Sequence, residues 1–355
     1  MPNSLTPTPT SKRTLRSLRL SAALASIALS ADAFAQAAES SNQSPPPAPP
    51  SAAPANSTPP PSDLPLFEGD ETEFTDGGRE FRFIFGGGYT HAFETSLDSG
   101  GDFSVDEFTA GLNIATNINR DLTLDFRLNV GVASYNFSGN SGLGGGFGGL
   151  DPWGDIFDIG LGMAASWSID EHWTVFGGPV LQFAGESGAD WGDSFNIGGI
   201  GGATYRFSDS FMLGGGLSVT SQIEDDVRVF PIIIIQWNFA ENWRIANAGP
   251  SGGRSSIELT GLELIWSPAK KWDLALGVGS SYSRFRLEDD NVGQTESTPF
   301  WFRAGWRPTP TVSLEGIAGL SFGGELSLDD SNGNGIAHSD FDAPLFVGLF
   351  GSVRF

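Results

Sequence analysis

A two-residue rhythm runs from about residue 79 to the last residue of this 355-residue chain, and it limits the possible folds more than any other feature. Residues 121–133 place Leu122, Leu124, Phe126, Leu128, Val130 and Val132 on one face, with Thr123, Asp125, Arg127, Asn129 and Gly131 on the other. Residues 79–91 put Phe81, Phe83, Phe85 and Tyr89 together, and residues 311–322 set Val312, Leu314, Ala318, Leu320 and Phe322 against Ser313, Glu315, Gly319 and Ser321. Side chains alternate across a sheet, so this pattern encodes strands with one apolar face. No helical period interrupts it.

The connections alternate as well. Short turns fall at 119–121, 170–172, 208–210, 240–242, 267–271 and 307–310. Longer loops rich in Gly and Asp lie near 92–102, 138–154, 186–193, 223–227, 249–255, 288–297 and 327–340. These six turns and seven loops join fourteen strands, and short turns on one rim with long loops on the other is the layout of an outer-membrane barrel. Each strand needs about 9–11 residues to cross a bilayer. The stretch 243–248 is too short, and if it and its partner do not span, twelve strands remain. Trp167 and Trp173, Trp237 and Trp243, and Trp266 and Trp272 straddle three of the short turns, and Trp306 sits beside another. Amphipathic rings favour the headgroup level, so these residues mark the periplasmic rim.

Composition removes several function classes. Acids outnumber bases 42 to 19, for a net charge of −23, which repels nucleic acid. The absence of Cys excludes disulfides, thiolate metal sites, Cys nucleophiles and a lipidated cysteine anchor.

Residues 1–35 read as a cleaved signal peptide. Lys12, Arg13, Arg16 and Arg19 precede the short apolar run 20–29, and Ala33 and Ala35 supply the small residues before cleavage after Ala35. That run is shorter than the roughly 20 residues a spanning helix needs. Residues 36–76 are rich in Pro and Ala and cannot bury a core, so they read as a disordered or extended periplasmic segment. Residues 77–355 are the barrel.

In the last strand Val347, Leu349, Gly351, Val353 and Phe355 alternate with Phe346, Gly348, Phe350, Ser352 and Arg354. Here the chain resembles bacterial outer-membrane β-barrel proteins. That resemblance implies outer-membrane lipids and the barrel-assembly machinery as partners, with Phe355 as the assembly signal. The stretches 237–244 (WNFAENWR) and 283–287 (SRFRL) look like an uncharacterised barrel family of unknown function, which brings no substrate with it.

With the Phe/Leu/Val face towards lipid, the lumen collects Arg82, Glu107, Asp125, Arg127, Asp158, Arg206, Glu263, Arg303, Glu315 and Arg354. An Arg facing lipid near midplane costs roughly 2–4 kcal/mol, so charges belong inside. They form either a mutual salt-bridge network or a mixed-charge constriction for small polar solutes. The Gly-rich loop 138–154 is the element expected to fold inward. The seven long loops hold seventeen acids against one base, Arg254, which makes the outer mouth a negative vestibule.

Two further constellations need weighing. Asp330, Asn332 and Asn334 match the first half of a calcium-loop pattern, and Asp340 is a further candidate oxygen ligand for Ca2+ or Mg2+. Position twelve is Phe341 rather than Glu, and an acidic turn built for backbone reasons has the same sequence. Pairing the first strand with the last would bring His91 near His338, Ser339 and Asp340, the ingredients of a lipid hydrolase. The sequence thus leads to an all-β transmembrane antiparallel barrel acting as a passive, cation-preferring channel rather than an enzyme. A closed structural or surface-binding barrel is the alternative, and a lipid hydrolase a distant one.

Overall fold

The computed structural model describes residues 81–139, 151–223, 227–247 and 260–355. The signal peptide 1–35 and the Pro/Ala segment 36–76 lie outside the described residues.

Fifteen strands follow one another: β1 (Phe81–Ser96), β2 (Asp102–Asn117), β3 (Leu122–Ser138), β4 (Asp155–Ser168), β5 (Trp173–Glu186), β6 (Phe195–Ser208), β7 (Phe211–Ser221) and β8 (Val227–Ala240). Then come β9 (Trp243–Asn247), β10 (Thr260–Ala269), β11 (Trp272–Arg286), β12 (Val292–Thr309), β13 (Val312–Asp329), β14 (Gly335–Phe341) and β15 (Leu345–Arg354). From β1 to β14 each strand pairs antiparallel with the next in sequence, and β1 closes on β15 with Tyr89 opposite Leu349. Both β14 and β15 pair with β13, so they are one stave broken at residues 342–344. The ring therefore has fourteen staves and no free side, as the alternation and turn count implied.

Outside, the ring is apolar. Phe126, Leu128, Val130, Phe157, Leu161 and Met163 are exposed side by side, as are Phe300, Phe302, Leu314 and Leu320 further round. A continuous apolar belt on a closed sheet suits hydrocarbon, where every backbone N–H and C=O must find a partner within the protein. The belt has marked edges. At the rim of short turns Trp243 stacks on Trp266 with ring centroids 5.9 Å apart, and Trp272 on Trp306 at 6.0 Å. Towards the other rim, His91, Asp106, Ser134 and Asp155 sit opposite one another on four successive strands, where the outward face turns polar.

Several strands continue beyond that line. β12 and β13 have 18 residues each, and β1, β2 and β3 have 16, 16 and 17. The loops expected at 92–102, 288–297 and 327–340 are accordingly mostly strand. Polar alternation outside the bilayer satisfies a sheet as well as apolar alternation does, so polarity alone misplaced those boundaries. The opposite holds at β9, which has only 5 residues, in agreement with the short stretch seen in the sequence. The Asn247 side chain prolongs its ladder by accepting from Ile235 N at 2.8 Å and donating to Ile233 O at 2.7 Å.

Inside, one device recurs. Gly88 faces Phe350, Gly202 faces Phe176, Gly277 faces Trp301 and Gly319 faces Phe346, each as direct cross-strand partners. In every pair a Cβ on the glycine would overlap the ring, so the aromatic lies flat across the bare backbone. Rings fill the inner layer where a pair of ordinary side chains would crowd. In the outer extension, Gly293 under Phe285 and Gly324 under Phe341 repeat the pattern. There Phe285 joins Leu97, Phe103, Trp153, Leu326 and Leu328 in a dry core.

Cysteine introduced at Ser99 or Asn332 should react with a membrane-impermeant thiol reagent on whole cells, and cysteine at Asn242 or Ala269 should not. The native chain has no Cys to interfere. Labelling of the second pair but not the first would invert the orientation.

Candidate functional site in the barrel interior

The inner face carries two polar clusters of different character. The first lies on β9 to β13. Glu263, Gly277 and Trp301 are in register on three successive strands, and the missing side chain at Gly277 lets Trp301 Nε1 reach across to Glu263 Oε1 at 2.8 Å. Arg303 Nε donates to the same oxygen at 3.0 Å, and Arg303 also lies 3.7 Å from Glu315. Gly305 plays the same spacing role between Asp273 and Glu315. Asp273 receives Arg307 at 3.0 Å and Arg244 at 3.3 Å, together with the Ser267 hydroxyl. The core of this network is buried: the Arg303 and Glu263 side chains are only 8% and 3% exposed.

The second cluster lines β2 to β5. Asn113 Nδ2 donates to both oxygens of Asp125 at 3.0 Å, and Arg127 Nε donates to one of them at 3.1 Å. On the next two strands Gln182 Nε2 donates to Asp158 at 2.9 Å. Here the Arg127 and Asp125 side chains are 29% and 17% exposed. Both lie on the face opposite the exposed apolar residues, so their exposed surface faces the interior of the barrel.

All ten residues assigned to the lumen share that inner face. The structure joins Glu263, Arg303 and Glu315 into one group and Asp125 with Arg127 into another. Arg82, Glu107, Arg206 and Arg354 take inward positions on β1, β2, β6 and β15. Sequence reasoning missed Arg244, Asp273 and Arg307, although Trp272 facing the rim already places Asp273 inward. It also missed Trp301, which belongs to the inner layer rather than to the girdle.

At the outer end, Trp153 from the Gly-rich loop is 2% exposed within the dry core, while residues 140–150 lie outside the described residues. Asp330 Oδ1 accepts the backbone N–H groups of Asn332 at 2.9 Å and Asn334 at 2.8 Å. The Asn334 side chain and these backbone donors hold the Asp330 carboxyl below the usual carboxylate range. The carboxylate thus serves a turn, and Asp340 stands apart on β14 opposite Glu325. Among the described residues no three His, Asp or Glu side chains gather round a common cation position.

His91 is not brought to Ser339. Its Nδ1 lies 2.8 Å from Asp106 on the outward face, and β1 at that level pairs with Val347. The break at 342–344 turns residues 338–340 towards β13 and the 97–101 turn. Ser99 N donates to Ser339 Oγ at 3.0 Å, and Ser339 Oγ donates to Asp340 O at 3.0 Å.

A closed fourteen-stave ring, an apolar exterior and a charged interior define a bacterial outer-membrane β-barrel. No family model matches the chain, and no curated protein matches it. Several solved structures have a similar trace. An outer membrane channel from Pseudomonas putida F1 is 11% identical, with a TM-score of 0.44 over 81% of this chain and 98% of that one. A FadL homologue from Pseudomonas aeruginosa is 10% identical, with a TM-score of 0.45 over 78% and 90%. The toluene transporter TodX of P. putida is 10% identical, with a TM-score of 0.41 over 79% and 91%.

Replacing Glu263 by Ala leaves Arg303 buried without its nearest carboxylate, a loss of about 3–5 kcal/mol for a broken buried pair. The variant should unfold at lower temperature in a heat-modifiability gel assay. The triple variant E263A/R303M/E315Q should recover most of that loss, because the buried charges of the group are removed together. Equal stability of E263A and the native protein would show that the pair carries no structural weight.

Proposed function

We propose that this protein is a passive outer-membrane channel for small polar solutes, with a preference for cations, and that it is not an enzyme. The observation that carries the reading is the difference in exposure between the two inner clusters. The β10–β13 side is packed shut by Trp301, Phe346, Phe350 and the Glu263–Arg303–Glu315 group. The β2–β4 side keeps charged side chains in contact with internal water. A path along that wall passes Asn113, Asp125, Arg127 and Asn129, which exchange hydrogen bonds readily with hydrated solutes.

Charge supports the cation preference. Carboxylates engage Arg127, Arg244, Arg284, Arg303 and Arg307, which removes most of their attraction for anions. The outer loops hold an acidic excess whose field reaches about 8 Å, roughly one Debye length at physiological salt. Divalent cations gathered by those loops should partly block the current. In this reading the first 35 residues are removed after Ala35 on export, and the terminal Phe355, exposed to 76%, is what the assembly machinery reads.

The dry core round Trp153 favours a second reading, a closed barrel that serves as structure or as a binding surface. The reversal potential across a KCl gradient in a planar bilayer separates the two. A channel of the proposed kind shows cation preference at low salt that fades towards molar salt. Anion preference would mean that Arg82, Arg206 and Arg354 govern the path, and absence of conductance would support the closed barrel.

A further inference from the structure

At the outer mouth the described ladder of β10 with β11 ends at Thr260 opposite Ser280, and β11 runs on paired with β12 as far as Arg286 opposite Val292. The end of β11 crosses to β5, almost diametrically opposite, and Arg286 forms a parallel bridge with Gly185. The Arg286 side chain fixes this crossing. It is buried, and it donates through Nη1 to Asp290 O at 2.7 Å, through Nη2 to Ile223 O at 3.0 Å and through Nε to Asp193 O at 3.3 Å. Those carbonyls belong to three separate outer connections. From the opposite side Glu186, the last residue of β5, accepts Gly154 N at 2.8 Å and Glu288 N at 3.0 Å. On the third side, Arg228 of β8 lies over the Tyr282 ring, 3.4 Å from its centroid. Gln222 donates to the Tyr282 hydroxyl at 3.2 Å. The tip of β11 is thus held by β5, by β8 and by the chain after β7, with Phe285 and Leu287 behind it in the dry core.

The chemistry of Arg286 sets it apart from the other buried arginine. Arg303 is locked by two carboxylates, whereas among the described residues only backbone carbonyls hold Arg286. A guanidinium held by carbonyls forms charge-assisted hydrogen bonds. Water can take over each of those bonds if the loops part. Such a contact closes firmly and opens without breaking any ion pair of Arg286 among the described residues.

We propose that residues 280–287 of β11 are the gate of this channel and that Arg286 is the latch that holds it shut against β5. The proposal rests on the channel reading, and its test has a readout that does not need current. Ser194 lies directly under the crossing: it is fully buried, its carbonyl accepts Ala184 N at 3.0 Å, and its Oγ donates to Asp190 O at 2.6 Å. Ser194→Cys is nearly isosteric and would be the sole thiol in the chain.

The experiment measures maleimide labelling of Ser194→Cys on whole cells, together with single-channel open probability, for the native latch and for Arg286→Met. Labelling and open probability should both rise at least about tenfold, the factor for one hydrogen bond to a charged group, since Arg286→Met removes three. Arg286→Lys, which cannot reach three carbonyls at once, should fall between them. Lys270→Met is the control, because Lys270 is exposed on the short turn between β10 and β11, at the rim opposite the crossing. It should leave both readouts at native values. Increased labelling without current in any variant would keep the latch and sink the channel reading. Native labelling and native gating in Arg286→Met would overturn the latch. Failure of both Arg286 variants to reach the membrane would also overturn it, by making Arg286 a requirement for assembly.

Discussion

In hydrocarbon a backbone N–H or C=O has no water to turn to, and a sheet can satisfy all of its groups only by closing on itself. The pairing of β1 with β15 is that closure, and much of the rest is forced by it. Once the ring is closed each residue faces either lipid or lumen, and the two-residue period sorts them. Charges excluded from the lipid face gather inside, where burial makes an unpartnered one expensive. The Glu263–Arg303–Glu315 and Asp273–Arg244–Arg307 groups are the response on the packed side. On the other side, Asn113 and Arg127 do the same for Asp125 at a more exposed place.

Glycine facing an aromatic ring is the second organising device. It explains how a chain with 48 Gly and 28 Phe builds a definite interior rather than a loose one. At Gly277 the bare backbone does two things: it seats the Trp301 ring, and it opens the gap through which that indole reaches Glu263. A side chain there would displace both. The same substitution of space for side chain at Gly293 seats Phe285, which backs the tip of β11. Packing in the membrane layer and closure of the mouth therefore share one solution.

Much of this was legible in the sequence. Alternation gave the face of every charged residue assigned to the lumen, the turns gave fourteen staves, and the tryptophan pairs marked one rim. The short stretch at 243–248 did signal the stunted β9. Strand ends on the outer side were not legible, because polar alternation beyond the bilayer looks like loop while it still pairs as sheet. The crossing of β11 was also hidden. Tyr282, Arg284 and Arg286 have the parity of lipid-facing residues, yet beyond the described end of the β10 ladder Tyr282 and Arg286 meet β8 and β5. His91 and Ser339 looked adjacent by closure of the ring, yet the break at 342–344 sends the residues before it to another neighbour.

The central claim is that water and solute follow one side of the interior while the other is packed solid. Single cysteines on the two inner walls test it directly, through block of the current by a thiol reagent added from the periplasmic side. Asn129→Cys on the open wall should be modified within seconds to minutes and reduce conductance. Ala275→Cys, 2% exposed on the packed wall, should leave the current unchanged. Block at Ala275 as fast as at Asn129 would contradict the account, and so would an Asn129→Cys channel that conducts but never responds.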